Sequence, residues 1–211
     1  ASSIGLAVGA VDRYGADAPR VHIVEGEGGL TPGRVAEALA AAGTASLRNV
    51  VVHLDWNQAS IDSDRVCREG DLPGDYVQWD PRELFSLHDW NVIDVRDGHD
   101  LQQVLAAQRR ALQLDTGQPT AIVYRTVKGW RYGVEGKASH GAGHKFCSEG
   151  YHAALSELVE LSRTTGVAPD LPVCSPDDPR CAGADGAAAR EECFWATLEA
   201  VRAQVRALPE M

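Results

Sequence analysis

The segment VHIVEGEGGLTPGRVAEAL, Val21–Leu39, contains the pattern that decides the fold. It starts with VHIVE, an apolar run rich in β-branched residues that is too short for a helix and is typical of a buried strand. A glycine-rich turn follows, and the alanine-rich stretch from Arg34 to Ala42 then predicts a helix. A strand that passes through a tight turn into a helix is characteristic of parallel α/β proteins.

Similar strands and helices recur along the chain. Three more strands are predicted at Val50–Asp55 (VVVHLD), Asn91–Val95 (NVIDV) and Thr120–Arg125 (TAIVYR). Asp100 can cap a helix that runs to Leu114, whose apolar residues share a face: Leu101, Val104, Leu105 and Leu112. The small residues from Ile4 to Val11 predict a closely packed helix. This alternation predicts an α/β fold, a parallel β-sheet with helices on both faces.

The second half of the chain changes in character. Thr126–Gly150 has many glycines and charges without periodicity, which predicts a long loop. We predict one domain over residues 1–165, in which a helix resumes near Tyr151, and a linker rich in Pro, Asp, Gly and Ala over residues 166–187. Apolar residues at helical spacing then predict an amphipathic helix over residues 188–211.

Composition excludes several classes of function. The 211-residue chain has a formal net charge of −10 with its acids scattered, so we expect neither nucleic acid nor an acidic membrane as a partner. No apolar run approaches the roughly 18 residues of a membrane span, and Ala1–Gly15 lacks the features of a signal peptide. We therefore expect a cytoplasmic protein whose five cysteines are reduced thiols.

Two polar residues follow successive predicted strands. Glu27 comes just after the first strand and Asn57 just after the second, separated by about thirty residues, the length of one strand-helix-strand unit. Because ligands of open parallel sheets bind beyond the carboxyl ends of the strands, we expect these side chains to lie together at a binding site. Carboxylate and amide oxygens suit magnesium, which binds proteins through a few such ligands plus phosphate oxygens.

The turn around Glu27 is suited to an anion. Gly26, Gly28 and Gly29 allow close approach of the backbone, and the helix that begins near Gly33 offers unpaired N–H groups. The predicted ligand is a metal-bridged diphosphate. An ordinary structural turn is the alternative, whereas a dinucleotide site is disfavoured because Thr31 stands where its pattern needs the third glycine.

These residues resemble the thiamine diphosphate-binding domain of the transketolase family. That family carries Gly-Asp-Gly after one strand and an Asn after the next, and this sequence has GEG at Gly26–Gly28 and LDWNQAS at Leu54–Ser60. Further similar segments follow the family's order: SSIGLAVGA at Ser2–Ala10, which resembles a cofactor-contacting loop, GRVAEAL at Gly33–Leu39, WNVIDVRDGHD at Trp90–Asp100, PTAIVYRTVKGW at Pro119–Trp130 and SHG at Ser139–Gly141. The resemblance extends from Ser2 to about Leu161 and implies the thiamine diphosphate-binding fold.

The resemblance implies a metal and cofactor site. The side chains of Glu27 and Asn57 and the backbone carbonyl of Ala59 would be the Mg²⁺ ligands, and Gly26, Gly28 and Gly29 would approach the diphosphate of thiamine diphosphate.

Other matching residues would complete the site. Ser2 and Ile4 would contact the cofactor, with Ile4 beside its rings, and His140 would be the catalytic candidate that reaches the diphosphate or the substrate. Glu37 would lie near a subunit interface, or simply on a solvated helix face.

Three residues depart from the family pattern. Glu27 stands where the family has Asp, which lengthens the side chain by about 1.5 Å. Pro32 replaces a Glu that many relatives carry, and Gln58 replaces the usual Lys. The Glu27 departure concerns the strength of metal binding. The Pro32 departure concerns the proton link between paired cofactors, because proline cannot ionise.

Two parts of the family's architecture have no counterpart in this sequence. They are an upstream segment that supplies histidines for sugar substrates and a downstream domain that grips the aminopyrimidine. The resemblance therefore implies one subunit of a split, hetero-oligomeric enzyme, with a separate chain carrying the pyrimidine-binding domain. The terminal helix, with Phe194 and Trp195, is a candidate docking surface, and packing on its own domain is the alternative.

The resemblance leaves three functions open. The first is transfer of a two-carbon ketol or acyl unit from a small ketose, as in transketolases. The second is decarboxylation of a 2-oxo acid, because KGW at Lys128–Trp130 and GHK at Gly143–Lys145 also resemble the first component of 2-oxo acid dehydrogenases. The third is a non-catalytic subunit in which Glu27 and Pro32 record decay of the site.

Overall fold

The computed structural model describes residues 1–59, 77–141, 144, 148–154, 156, 160, 179 and 186–207. Its sheet has four strands: β1 Val21–Gly26, β2 Val50–Trp56, β3 Asn91–Val95 and β4 Thr120–Arg125. The strand order is β1-β2-β4-β3, and every neighbouring pair is parallel. The predicted α/β fold is therefore confirmed, and each predicted strand is found within one residue of its predicted ends.

The α-helices with defined bounds in the described residues are α1 Ser2–Tyr14, α2 Gly33–Thr44, α3 Pro81–Leu87, α4 Leu101–Gln113 and, in a separate unit of the chain, α5 Gly186–Ala207. Asp100 caps α4 as predicted, because its carboxylate accepts hydrogen bonds from the backbone N–H groups of the next turn. Sequence analysis missed α3, although Asp80 caps it and Pro81 occupies its first position, which is a recognisable helix start.

One face of the sheet is closed by α1, α2 and α3. Leu54 and Trp56 of β2 point into this core together with Phe85 of α3, and all three are almost fully buried. Burial of side chains of this size contributes roughly 1.5–3 kcal/mol each. Gly43 of α2 lies so close to the turn before β3 that a Cβ there would be 1.9 Å from the carbonyl oxygen of His88.

Of the described helices of the sheet's unit, α4 is the one that packs on the other face. Ala107 and Ala111 of α4 are buried against Val51, Ile93 and Ile122. The apolar face predicted for this helix packs on the sheet only in part. Three of its residues keep a large exposed fraction: Leu101 75%, Leu105 51% and Leu112 44%. Small alanines bring α4 close to the sheet, so the leucines lie to one side.

The chain divides into two compact units. The first comprises Ala1–Trp130 with Glu135–Ala138 and holds the whole sheet; the second comprises Arg131–Val134 with Ser139–Met211 and holds α5. This division falls earlier than the predicted boundary at residue 165, and most of the predicted linker lies outside the described residues.

The predicted terminal helix is observed as α5, on which Phe194 and Trp195 are exposed, and residues 149–154 are helical. The expectation of reduced thiols stays a prediction: Cys193 lies on α5, and Cys67, Cys147, Cys174 and Cys181 lie outside the described residues. None of the described helices is both long enough and apolar enough to cross a membrane.

Candidate functional site

Glu27 and Asn57 meet at the carboxyl ends of β1 and β2. The last residue of β1, Gly26, pairs with Asp55, so the residues that follow the two strands emerge side by side. The backbone N–H of Asn57 donates a hydrogen bond of 3.3 Å to Oε2 of Glu27. The structure therefore brings the Glu27 carboxylate against the backbone of Asn57, the other residue that the sequence placed at this site.

The carboxylate of Glu27 is buried, with 4% of the residue exposed. Burial, with a smaller contribution from the nearby Asp55 carboxylate, raises the pKa of Glu27 from its ordinary value of 4.5 to about 7. Hydrogen bonds from the backbone N–H groups of Glu27, Asn57 and Gln58 lower this pKa, because they stabilise the charged form. Among the described residues, peptide dipoles rather than a lysine or an arginine stabilise the negative charge of Glu27.

A chain of hydrogen bonds orients the Asn57 side chain. Its Nδ2 donates to Oδ2 of Asp55 at 3.1 Å, and its Oδ1 accepts the backbone N–H of Ala59 at 2.9 Å. Asp55 in turn accepts a hydrogen bond from the Thr126 hydroxyl, on the loop after β4. Because an amide oxygen has two lone pairs, Asn57 Oδ1 keeps one acceptor site for a further ligand.

These donors fit a hard divalent cation. Glu27 supplies a buried carboxylate oxygen, Asn57 supplies an amide oxygen, and the nearby Asp55 adds negative charge, which is the set of groups that Mg²⁺ prefers. A cation bound beside Glu27 would remove the cost that burial imposes on its charged form. Among the described residues no three His, Cys, Asp or Glu side chains converge, so a cation here would need non-protein or backbone oxygens as well.

The glycine-rich turn forms a short 3₁₀ segment, Glu27–Leu30, before α2. A Cβ on Gly28 would meet nothing within 4 Å, which leaves this side of the turn open to a ligand. Gly29 is constrained differently, because a Cβ there would lie 2.1 Å from Oε1 of Glu25. The space beside Gly29 is therefore taken by a neighbouring side chain.

Sequence analysis missed two features beside Asn57. Gln58 has a left-handed backbone, φ 60°, and is almost fully buried with no hydrogen-bond partner for its Nε2. A strained conformation at a non-glycine residue is common at functional sites. The indole of Trp56 lies against the guanidinium groups of Arg125 and Arg82, whose central carbons are 3.7 and 5.1 Å from the ring centroid.

A second carboxylate cluster in the same unit is balanced by arginine. Arg82 contacts Asp80 at 2.6 Å and Asp94 at 3.1 Å, and Arg96 contacts Asp94 at 3.3 Å. Burial alone would raise the pKa of Asp80, but hydrogen bonds and charge from Arg82, with a contribution from Arg125, hold it below its usual value.

Residues 12–158 match the family described as transketolase, thiamine diphosphate binding domain. The chain belongs to this family. The match includes all four strands and the Glu27–Asn57 pair, so the resemblance identified from the sequence is confirmed.

Transketolases from several organisms are similar in sequence to part of this chain. Transketolase 1 of Pasteurella multocida is 34% identical over 125 residues, which cover 57% of this chain and 17% of that protein. Transketolase of Bacillus subtilis is 30% identical over 136 residues, 63% of this chain and 18% of that protein. The chain thus spans less than a fifth of the length of either relative.

Solved transketolase structures share the fold. The transketolase from Leishmania mexicana superposes with a TM-score of 0.58 and 20% identity, covering 99% of this chain and 29% of that one. The enzyme from Campylobacter jejuni gives a TM-score of 0.58 and 19% identity, over 99% of this chain and 30% of that one.

The other predicted site residues fall in both units of the chain. Ser2–Ala10, which resembled a loop, is part of α1, so the prediction of a loop there is wrong and the prediction of a helix is confirmed. Ser2 is exposed at the first turn, whereas Ile4 is buried in the core beside the sheet. Glu37 is exposed on α2. His140 is exposed and belongs to the second unit. The roles of these residues stay predictions, as do those of Ala59 and Gly26.

Proposed function

We propose that this chain is the thiamine diphosphate- and Mg²⁺-binding subunit of a transketolase-like transferase that moves a two-carbon ketol unit. The observation that carries the proposal is the buried carboxylate of Glu27, which lies beside Asn57 and relies on backbone N–H groups for its stabilisation. Membership of the transketolase family supports the choice of cofactor and of reaction class.

The proposal gives each residue of the site a distinct task. Glu27 and Asn57 would hold the cation, with the carbonyl of Ala59 as a further oxygen ligand. Asp55 and Thr126 keep the Asn57 amide turned so that its oxygen faces away from the Asp55 carboxylate. Gly28 leaves space for the diphosphate.

Binding and orientation are the contributions of this chain. Thiamine diphosphate, when bound, supplies the ring that stabilises the carbanion left by carbon–carbon cleavage. A fixed diphosphate anchor holds the reactive ring in one geometry, which lowers the entropic part of the barrier. His140 would reach the diphosphate or the substrate carbonyl.

The proposal includes a partner. A separate chain would carry the pyrimidine-binding domain, and the active form would be a hetero-oligomer. The substrate would be a small ketose.

Calorimetric titration of thiamine diphosphate in the presence of Mg²⁺ tests the cofactor site. Glu27→Gln keeps the size of the side chain but removes its charge, and we expect binding to weaken at least about 100-fold, close to 2.7 kcal/mol. Glu83→Gln, at an exposed position on α3, is the matched control and should bind within twofold of the unchanged chain. Equal affinity of the two variants would contradict the proposal, and absence of uptake by the unchanged chain together with its partner would support a non-catalytic subunit.

A donor screen tests the reaction class. With the complementary chain present, we expect consumption of a ketose phosphate that depends on an aldose acceptor. Release of carbon dioxide from pyruvate without turnover of ketose phosphates would instead identify a 2-oxo acid decarboxylase.

A further inference from the structure

Two histidines from neighbouring strands face each other on the side of the sheet that carries α4. His22 lies in β1 and His53 in β2, and Nδ1 of His22 is 2.9 Å from Nε2 of His53, so the two nitrogens share a hydrogen bond. The ring centroids are 5.2 Å apart, and the ring planes differ by 24°. The two strands thus bring two potential metal ligands to one point, because either ring nitrogen of a neutral imidazole can bind a metal.

The facing nitrogens hold a single proton between them when both rings are neutral. Each neutral imidazole has one N–H and one nitrogen with a lone pair, so one facing nitrogen donates the hydrogen bond and the other accepts it. A metal ion can take the place of this proton, which moves to the outer nitrogen of the ring that carried it. Both rings stay neutral, and both facing lone pairs are then available to the ion.

The separation of the nitrogens is close to that of a two-histidine metal site. An ion bonded to both nitrogens at about 2.0–2.1 Å holds them about 2.9 Å apart at a right angle and about 3.3 Å apart at the tetrahedral angle. Starting from 2.9 Å, the nitrogens therefore move apart by less than about 0.5 Å. The rings also tilt, so that their lone pairs converge on the ion. His22 is exposed, so its ring can tilt into solvent.

The Tyr124 hydroxyl orients His53. It lies 3.0 Å from Nδ1, the ring nitrogen that does not contact His22, and it also interacts with the side chain of Gln108 on α4. Metal-binding histidines are usually held in this way, by a hydrogen bond to the ring nitrogen that does not touch the metal. The ring of His53 is therefore already oriented, with its Nε2 toward His22, before any ion binds.

Solvent reaches the histidine pair. His22 is exposed, and Val24, which is the Cα partner of His53 in the neighbouring strand, is 79% exposed on the same face. His53 is half-buried. An ion can therefore approach the two nitrogens from the side of β1.

Imidazole ligands select the class of ion. They suit Cu²⁺, Ni²⁺ and Zn²⁺, whereas Mg²⁺ prefers oxygen ligands. Cu²⁺ binds most tightly of these ions to a given set of nitrogen ligands. Among the described residues no third histidine, cysteine or carboxylate converges with the pair, so water would fill the remaining coordination positions.

We propose that His22 and His53 together bind one divalent transition-metal ion, of the series Cu²⁺, Ni²⁺ and Zn²⁺, on the α4 face of the sheet. The bound ion ties β1 to β2 through their side chains. The inference requires neither Mg²⁺ nor thiamine diphosphate and is independent of the function proposed for Glu27 and Asn57.

Nickel binding to the full chain tests the site. Ni²⁺ is the probe because it binds imidazole and, unlike Cu²⁺, does not oxidise thiols. Excess Mg²⁺ is present throughout to occupy oxygen-ligand sites, and it should leave Ni²⁺ binding unchanged. In NMR spectra that resolve the ring signals of the seven histidines, paramagnetic Ni²⁺ should broaden those of His22 and His53 before any others.

Matched histidine variants identify the ligands. His22→Gln and His53→Gln each remove one imidazole, and each should weaken Ni²⁺ binding at least about tenfold in calorimetric titration, because two ligands held on one sheet act as a chelate. His88→Gln is the control, since His88 follows α3 on the opposite face of the sheet, and its replacement should leave the affinity unchanged. Ni²⁺ should also raise the melting temperature of the unchanged chain and of His88→Gln more than that of the other two variants.

Three results would overturn the proposal. They are equal Ni²⁺ affinity of His22→Gln and His88→Gln, broadening that begins at another histidine, and a loss of affinity confined to one of the two strand variants, which would mean that a single histidine binds the ion. Circular dichroism of each variant verifies that the fold is intact. Because His22 is exposed, its replacement tests the proposal even where the change at His53 disturbs the sheet.

Discussion

Two carboxylate clusters in the first unit solve the problem of buried negative charge in different ways. Asp80 and Asp94 are bridged by Arg82, so their charge is neutralised inside the protein. Glu27 and Asp55 have backbone, threonine and asparagine donors around them, and burial raises the pKa of Glu27 to about 7.

The difference separates a cluster that is complete within the fold from one that is suited to a ligand. A carboxylate paired with arginine has its optimal partner already and gains little from a bound ion. A buried carboxylate held only by dipoles is charged at a cost, and an external cation can relieve that cost. The arginine-bridged cluster therefore belongs to the fold, and the Glu27 cluster is suited to a ligand.

Removal of the Arg82 guanidinium, the cation that bridges Asp80 and Asp94, should have the largest effect on stability. Arg82→Met keeps much of the side chain but leaves Asp80 and Asp94 without their bridge, and we expect the free energy of unfolding to fall by about 3 kcal/mol. Urea denaturation measures the change. Arg96→Met is the control, because Arg96 is mostly exposed and its pair with Asp94 should contribute less than about 1 kcal/mol. Equal losses in the two variants would mean that Arg82 has no special role.

The pH dependence of stability should differ between the clusters. Folded Glu27 binds a proton more tightly than unfolded Glu27, so between its ordinary pKa of 4.5 and about 7 the folded state holds more protons and stability falls as pH rises. In metal-free protein this group should lower the free energy of unfolding by about 2 kcal/mol from pH 5 to pH 8. Asp80 has the opposite sign, because its lowered pKa stabilises the fold above its ordinary value of 3.8 and that contribution disappears as the pH falls below it.

Glu27→Gln isolates the first effect. Denaturation of this variant across the same pH range should lose the downward slope that Glu27 contributes, while the acid limb that includes Asp80 should be unchanged. A slope identical to that of the unchanged chain would show that another group titrates.

A bound cation should stabilise the Glu27 cluster selectively. At ten times its dissociation constant, Mg²⁺ should raise the free energy of unfolding by about 1.4 kcal/mol. The gain should be larger at pH 8 than at pH 5.5, since protons compete with the ion for Glu27, and EDTA should reverse it. Thermal denaturation with and without Mg²⁺ measures the shift. A gain that persists in Glu27→Gln would place the ion elsewhere.

The smallest expected effect concerns the hydrogen bond from Thr126 to Asp55, which in turn orients the side-chain amide of Asn57. Thr126→Val removes one hydrogen bond to Asp55 and should cost about 1 kcal/mol of stability. It should also weaken Mg²⁺ binding, because Asp55 then holds the Asn57 side chain less firmly. Thr44→Val, at an exposed position, serves as the control in the same calorimetric titration.

Much of the fold was predictable because its signals are local. The four strands are short runs rich in β-branched residues, and their alternation with helices determines a parallel sheet. Proximity of Glu27 and Asn57 was also predictable, because successive parallel strands end at the same edge of a sheet.

The missed features depend on tertiary contacts. The leucines of α4 look like a core face in the sequence, yet Ala107 and Ala111 pack closer to the sheet. Asp55 and Thr126 are 71 residues apart, so no local pattern connects them. The left-handed backbone of Gln58 carries no signal of its own, since glycine is the usual residue for that conformation.

The strand order also affects how the chain folds. β1 and β2 are neighbours in sequence and can pair early, whereas β4 must return across a long excursion to lie beside β2. Closing a loop of 71 residues costs about 4 kcal/mol of chain entropy, which slows this step relative to local pairing. During synthesis Asp55 therefore emerges well before the threonine that immobilises it, and the geometry that we propose to bind the ion is among the last features of the nascent chain to mature.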